Sequence, residues 1–303
     1  MSDAQTAHLV DGSLYVCRAF FAPMPDVAGA DGGSVLAVHG FTRFLLDLLE
    51  RARPTHIAVA FDESLTTSFR NAIYPAYKAH REPAPPDLER QFALCKDIAA
   101  ALGVTVMSDA KYEADDLIGS SLVALRAAGF RSVIISADKD FGQLIGSLDE
   151  QWDPQRNQRW DAAGVKSRLG VHPEQVADYL ALTGDAVDNI PGVPGIGAKT
   201  AAILLHHFGT LESLLARAEE VAFLRTRGAA AASMRLREHA DSARLSRLLS
   251  AIALDAPVPS TPEEYVRKTH DADACERLFE SLKLGPLTRA RVRALAGPSE
   301  SAA

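Results

Sequence analysis

Four short apolar runs, spaced by stretches of helical periodicity, occupy the first half of the chain, and three of them run into aspartate. They are His8-Leu9-Val10-Asp11, His56 to Phe61 with Asp62, Val104 to Met107, and Arg131 to Ser136 followed by Asp138 and Asp140. Between them, Val35 to Leu49, Leu88 to Leu102 (closed by Gly103) and Ala114 to Ala128 (closed near Gly129) carry apolar residues at helical spacing. Strands that alternate with helices predict an α/β fold with a parallel-dominated sheet flanked by helices. In such a sheet the carboxyl ends of the strands share one edge, where ligands bind. Any one of these aspartates is explained as well by capping the next helix or opening a turn. Three segments delivering acids to the same edge predict a common site.

Two further strings enlarge that site. In Tyr112-Glu113-Ala114-Asp115-Asp116, Glu113 and Asp116 lie three apart and share a helix face, while Asp115 joins them only at an irregular first turn. Acids also favour a helix N-terminus for dipole reasons alone. Thr183-Gly184-Asp185 through Asp188-Asn189 adds two more acids with the same spacing. Carboxylates gathered in one place repel one another unless cations neutralise them. An oxygen-only donor set, without histidine or cysteine, selects Mg²⁺ or Mn²⁺. Two such ions about 4 Å apart stabilise both the attacking and the leaving oxygen of a phosphodiester. Net charge is −7, but setting these nine aside leaves 30 of the 39 acidic residues against 32 basic ones, so the remaining surface is near neutral and basic clusters are free for phosphate.

The segment after Asp62 interleaves Arg70, Tyr74, Tyr77, Lys78, His80 and Arg81, a pattern suited to single-stranded nucleic acid and equally to a solvated loop. Asn189 to Thr200 is a glycine-rich turn, with Gly192, Gly195, Gly197, Lys199 and Thr200, that opens a helix. It reads as an anion site of backbone N–H groups or as a plain helix–helix turn. The spacing excludes a nucleotide P-loop. Arg225, Arg227, Arg235, Arg237, Arg244 and Arg247 extend a basic stripe or form solvated helix faces.

These strings, with Leu9-Val10-Asp11-Gly12-Ser13, Arg18-Ala19-Phe20, Ser68-Phe69-Arg70, Tyr77-Lys78 and Ser136-Ala137-Asp138-Lys139-Asp140, resemble the 5′-nuclease family of flap endonucleases and of the N-terminal exonuclease domain of bacterial DNA polymerase I. Each string is weak alone, but their order from about Ala7 to Leu287 is specific. The resemblance implies that Asp11, Asp62, Glu113, Asp115, Asp116, Asp138, Asp140, Asp185 and Asp188 hold the metal ions, and all nine positions are acidic here. It implies an arch over about 64–90, in which Lys78 and Arg81 contact the scissile phosphate and act in catalysis, with Arg70 and Tyr77 as DNA contacts. It implies that the Gly192–Thr200 segment belongs to a helix-hairpin-helix-type element that binds duplex phosphates and a K⁺ ion. Cys17 stands where polymerase-linked members carry tyrosine.

The expected organisation is an α/β nuclease core over 1–175, a helical DNA-binding subdomain over 176–290, and a tail over 291–303. The expected activity is Mg²⁺-dependent hydrolysis of DNA at 5′ ends, flaps or junctions, in replication and repair, by a free-standing monomer working with a separate DNA polymerase. Cys17, Cys95 and Cys275 form no C-x-x-C pair, so no zinc or redox site is indicated, and a reducing cytoplasm is the simplest compartment. No apolar stretch reaches the roughly 18–20 residues of a membrane span, and the N-terminus lacks the pattern of a signal peptide. The rival readings are a branched-DNA-binding protein with little catalysis and a ribonuclease on the same fold. An Asp-x-Asp phosphatase fits poorly, because Gly12 and Ser13 follow Asp11.

Overall fold

The computed structural model describes residues 5–63 and 66–295. Positions 64–65 of the expected arch and 296–303 of the expected tail lie outside the described residues. Strands β1 (Thr6–Asp11), β2 (His56–Asp62), β3 (Thr105–Asp109), β4 (Arg131–Ile135), β5 (Glu150–Asp153) and β6 (Gln158–Trp160) form one sheet in the order β3-β2-β1-β4-β5-β6. All neighbours run parallel except β6, which pairs antiparallel with β5. β5 and β6 are too short and too polar to stand out as strands in the sequence.

Strand periodicity divides the core into two layers. Ala7 and Leu9 of β1, Ala58 and Ala60 of β2 and Ile134 of β4 face one side, against helix Ala114–Ala127 and the helical part of the chain. Val10, the odd-numbered residues Ile57, Val59 and Phe61, and Val133 and Ile135 face the other. That second face is covered by helices Gly12–Phe20, Leu36–Ala52 and Pro86–Ala101. Alternation of side chains across a strand is what lets one sheet serve two cores.

The C-terminal part is not one separate unit. Helices Val176–Thr183, Ala198–Phe208 and Ala240–Ser250 pack on the first face, whereas Ala272–Ser281 and Pro286–Ala294 return to the second. Part of the expected 176–290 stretch thus joins the second layer, and helix runs through 291–294, where a tail is expected. The physical reason lies in Cys275, Phe279, Leu282 and Val292, which bury their apolar side chains among Leu48, Leu49, Ile98 and Ala101. No helix among the described residues is long and apolar enough to cross a membrane.

Candidate active site

The order of strand addition reverses at β1: β2 and β3 lie to one side of it and β4 to the other. The carboxyl end of β1 is therefore the switch point, and Asp11 sits on it. Gly12 lets the chain turn at once into helix Gly12–Phe20; a Cβ there would lie 2.7 Å from both Phe61 and Val59. Asp11 does cap that helix, accepting from the Leu14 amide at 3.1 Å, and its second oxygen accepts from Ser136 Oγ at 2.9 Å. Asp62 ends β2 and accepts from the Ala114 amide at 2.8 Å, which ties β2 to the start of the next helix. Asp138 caps the short 3-10 turn Lys139–Leu144 by accepting from the Asp140 amide at 3.0 Å. Capping and rim placement are thus compatible roles for the same carboxylates.

The acids form an electrostatic ring. Asp11 feels Asp62 and Asp138; Asp140 feels Asp138, Asp185 and Asp188; Asp188 in turn feels Glu113. Burial, opposed by the Leu14 amide and reinforced by Asp62, pushes the Asp11 carboxyl up to about 7. Burial and the neighbouring Asp138 raise Asp140 to about 8. Asp115, in the first turn of its helix, is raised well above the carboxylate range by burial and by Asp116. Three basic side chains stand among these acids. Lys78 Nζ lies 2.6 Å from Glu113 and 3.9 Å from Asp188, Arg81 pairs with Asp188, and Lys139 Nζ lies 2.8 Å from Asp185. Burial opposes the charge on Glu113, but Lys78 and Arg70 outweigh it and hold the carboxyl low. The same balance, with Lys139 as the partner, lowers Asp185. Burial lifts Asp188 despite Lys78 and Arg81.

Lys78 is held in a left-handed conformation, φ 54°, by contacts on both sides. Its amide donates to the Asp188 carbonyl at 3.0 Å, and the neighbouring Tyr77 carbonyl accepts from Asn71 at 3.0 Å. Asn189 donates to the Ala76 carbonyl at 2.7 Å. The segment expected as an arch therefore includes helix Phe69–Ile73 and a turn laid against residues 187–190. Tyr77, Ile190 and Leu249 form a small apolar cluster beneath it.

Several residues expected at the DNA or the metal are engaged within the protein. Arg70 is 1% exposed and grips Asp116 through two bonds of 2.7 and 2.8 Å. Asp116 also accepts from the Glu113 amide at 3.0 Å and the Ala253 amide at 2.7 Å. Tyr77 is 2% exposed and its hydroxyl reaches Glu113 at 3.2 Å, so its ring packs under the rim and does not stack on a base. Gly192 is buried: its amide donates to Ser246 Oγ and its carbonyl accepts from Ser242 Oγ, each at 2.9 Å. It lies against Gly184; both glycines have positive φ, and a Cβ on either would strike the backbone of the opposite segment, so both positions require glycine. Gly195, Gly197 and Lys199 are exposed at the start of helix Ala198–Phe208, with Thr200 half-buried. The arginine stripe is broken by acids: Arg237 pairs with Glu219, Arg244 with Glu212 and Asp241, and Arg247 with Asp178.

Sequence reasoning overlooked Lys139, although it stands between two of the acids, and overlooked the serines that orient the rim, Ser136 on Asp11 and Ser13 on the Asp62 amide at 2.8 Å. Among the described residues no three acids, histidines or cysteines stand close enough about one point to hold an ion as they lie. The donors nonetheless suit a hard cation: they are all oxygen, and Asp140 Oδ1 is buried without a hydrogen-bond partner. Cys17 lies near Asp62 and Asp11, and burial, reinforced by those carboxylates, lifts its thiol to about 11, so it stays protonated and offers no thiolate.

An acid ring thus stands on one edge of the parallel sheet, with lysine and arginine side chains over it. Residues 6–170 match the 5′-3′ exonuclease N-terminal resolvase-like domain, and residues 171–273 match the 5′-3′ exonuclease C-terminal SAM fold. DNA polymerase I of Rhizobium leguminosarum is 36% identical over 95% of this chain and 29% of its own length. That of Bacillus caldotenax is 37% identical over 90% of this chain and 31% of its own length. The chain thus spans about three tenths of the curated relatives it matches. Among solved structures, T5 5′-exonuclease with zinc bound superposes with TM-score 0.65 at 17% identity, covering 96% of this chain and 98% of that one. The catalytic core of Rad2 in complex with DNA substrate gives 0.66 at 14%, covering 97% and 93%. At those identities the structures speak for the fold alone. The chain belongs to the 5′-3′ exonuclease family, whose members are nuclease hydrolases.

Proposed function

We propose that this protein is a metal-dependent 5′-nuclease that hydrolyses DNA phosphodiesters at 5′ ends, flaps or junctions, in replication and repair and in removal of RNA primers or flaps. The observation that carries this reading is the ring of coupled carboxylates with Lys78 and Arg81 standing over it. Asp11, Asp62, Glu113, Asp115, Asp138, Asp140, Asp185 and Asp188 are the proposed ligands. Two Mg²⁺ ions, or Mn²⁺ in their place, would supply an activated water and charge stabilisation for the leaving 3′ oxygen. Lys78 and Arg81 bind the scissile phosphate and offset the charge that builds on it. Lys139 holds Asp185 in place. Gly195, Gly197, Lys199 and Thr200 present the start of helix Ala198–Phe208 to duplex phosphate, with K⁺ as the ion at that turn.

The reading divides the chain near 175/176 into a catalytic core and a DNA-gripping part, with 272–294 joining the core. It places a monomer in the cytoplasm, at the nucleoid when bound to DNA, with a DNA polymerase as partner. The deciding experiment incubates 5′-flap, nicked and single-stranded DNA, and the matching RNA flaps, with the protein in Mg²⁺ and maps the products. Cutting at the DNA junction supports the reading. Tight binding without a cut would make it a branched-DNA-binding protein, and preferential cutting of RNA would make it a ribonuclease.

A further inference from the structure

Arg70 and Asp116 lie where three parts of the molecule meet. Arg70 begins the basic segment, whose first helix is tied to the rim side by the Phe69 amide donating to the Lys111 carbonyl at 3.0 Å. Its guanidinium donates to the Leu249 carbonyl and the Ala251 carbonyl, both at 2.8 Å, at the C-terminal end of helix Ala240–Ser250. Asp116 accepts from the Ala253 amide just beyond that helix and from the Glu113 amide on the rim. The other end of the connection is equally direct. Ser246 and Ser242 of the same helix hold both polar groups of Gly192 in the hairpin turn. A continuous run of short hydrogen bonds therefore leads from the turn before helix Ala198–Phe208, through helix Ala240–Ser250, to Arg70, Asp116 and Glu113. Lys78 meets that run at Glu113.

We infer that the Arg70–Asp116 pair is the joint that fixes the register between the duplex-gripping hairpin and the acid rim, and so decides which phosphodiester is cut. The inference rests on the proposed nuclease activity and on the hairpin as its duplex grip. Arg70 is a positioning residue in this scheme: it touches neither DNA nor metal, and it acts through Asp116 on Glu113 and through the helix end on the hairpin. A planar fork buried on four acceptors fixes orientation as well as distance, which a lysine ammonium does not. A shift of about 1 Å at the reacting phosphate costs on the order of 10²-fold in rate and brings neighbouring phosphates into competition.

The test maps cut positions on an end-labelled 5′-flap DNA in Mg²⁺ and measures affinity for the same DNA in chelator. The parent protein should cut one dominant phosphodiester. Arg70→Lys should spread the cuts over adjacent positions and lower turnover by about 10²-fold, with chelator affinity within about twofold of the parent at fixed salt. Ser246→Ala, which leaves the ion pair intact and loosens only the hairpin end, should also spread the cuts. An Arg70→Lys protein that keeps the single cut position but binds flap DNA about tenfold more weakly in chelator would make Arg70 a DNA contact and overturn the joint. Ser246→Ala cutting at the parental position alone would overturn it as well, and decides the matter if Arg70→Lys fails to fold. Failure of the parent itself to cut any flap would strike the nuclease reading, a result separable from both.

Discussion

Asp11→Asn should make the metal-free protein more stable while destroying its cleavage, and the gain should depend on pH in a defined direction. Asp11 is 9% exposed, and burial, opposed by the Leu14 amide and aided by Asp62, raises it from 3.8 to about 7. The folded carboxyl keeps its proton up to about pH 7, whereas the unfolded one releases it near 3.8. The folded state therefore binds the extra proton throughout that window, and stability falls as pH rises from about 4 to about 7. Asp140, raised to about 8 by burial and Asp138, extends the same trend. At about 1.4 kcal/mol per unit, full ionisation of folded Asp11 costs up to about 4 kcal/mol. Relaxation of the rim and entry of water reduce the realised effect to about 1–2 kcal/mol. Asparagine keeps the helix cap, and Ser136 Oγ can rotate to accept from the new amide. For a chain of this length the unfolding entropy is about 0.6 kcal/mol per degree, so the melting point should rise by roughly 2–3 °C. The assay is a pair of melting curves in chelator at pH 8.5 and pH 5, with cleavage in Mg²⁺ as control. A variant that melts at or below the parent at pH 8.5, or whose advantage does not shrink at pH 5, would refute the reasoning.

Removing divalent ions with a chelator should abolish cleavage and Mg²⁺ or Mn²⁺ should restore it, because the rim offers only oxygen donors; product gels before and after chelation check this. Lys78→Ala and Arg81→Ala should each lower turnover by roughly 10²–10³-fold with much smaller loss of duplex affinity, read from single-turnover rates and binding isotherms. Asp138→Asn with Asp140→Asn should stop cleavage in Mg²⁺ yet bind flap DNA in chelator at least as tightly as the parent, since two charges that repel the backbone are gone; titrations at one ionic strength decide it. Gly195→Val should weaken binding to nicked duplex more than Gly197→Val. Gly195 has φ +76° and a Cβ there would meet the Arg235 guanidinium, whereas Gly197 faces open space; equal affinities for the two folded variants would remove the distinction.

The sequence by itself determined strands β1 to β4 and the placing of acids at their ends. Continuous short apolar runs at β1, β2 and β4 mark strands buried on both faces, and aspartates at their ends must share one edge of a parallel sheet. It could not separate acids that stay available from acids already consumed. Asp115 and Asp116 are adjacent and chemically alike; only the packed arrangement, with Arg70, Ala253 and the Glu113 amide converging on Asp116, engages that carboxylate within the protein. The same holds for Arg70 and Tyr77, whose residue types suit nucleic acid but whose side chains lie 1% and 2% exposed. β5 and β6 escaped notice because a strand at the end of a sheet needs little apolar length once β4 offers it a template. The return of Ala272–Ser281 and Pro286–Ala294 to the far face of the sheet was equally illegible, since a helix's apolar stripe says that it must be covered but not by what. Periodicity and residue chemistry are local and survive in a linear string. Burial, partner choice and the hydrogen bonds that use up a carboxylate arise only between segments far apart in sequence, and the tertiary structure alone decides them.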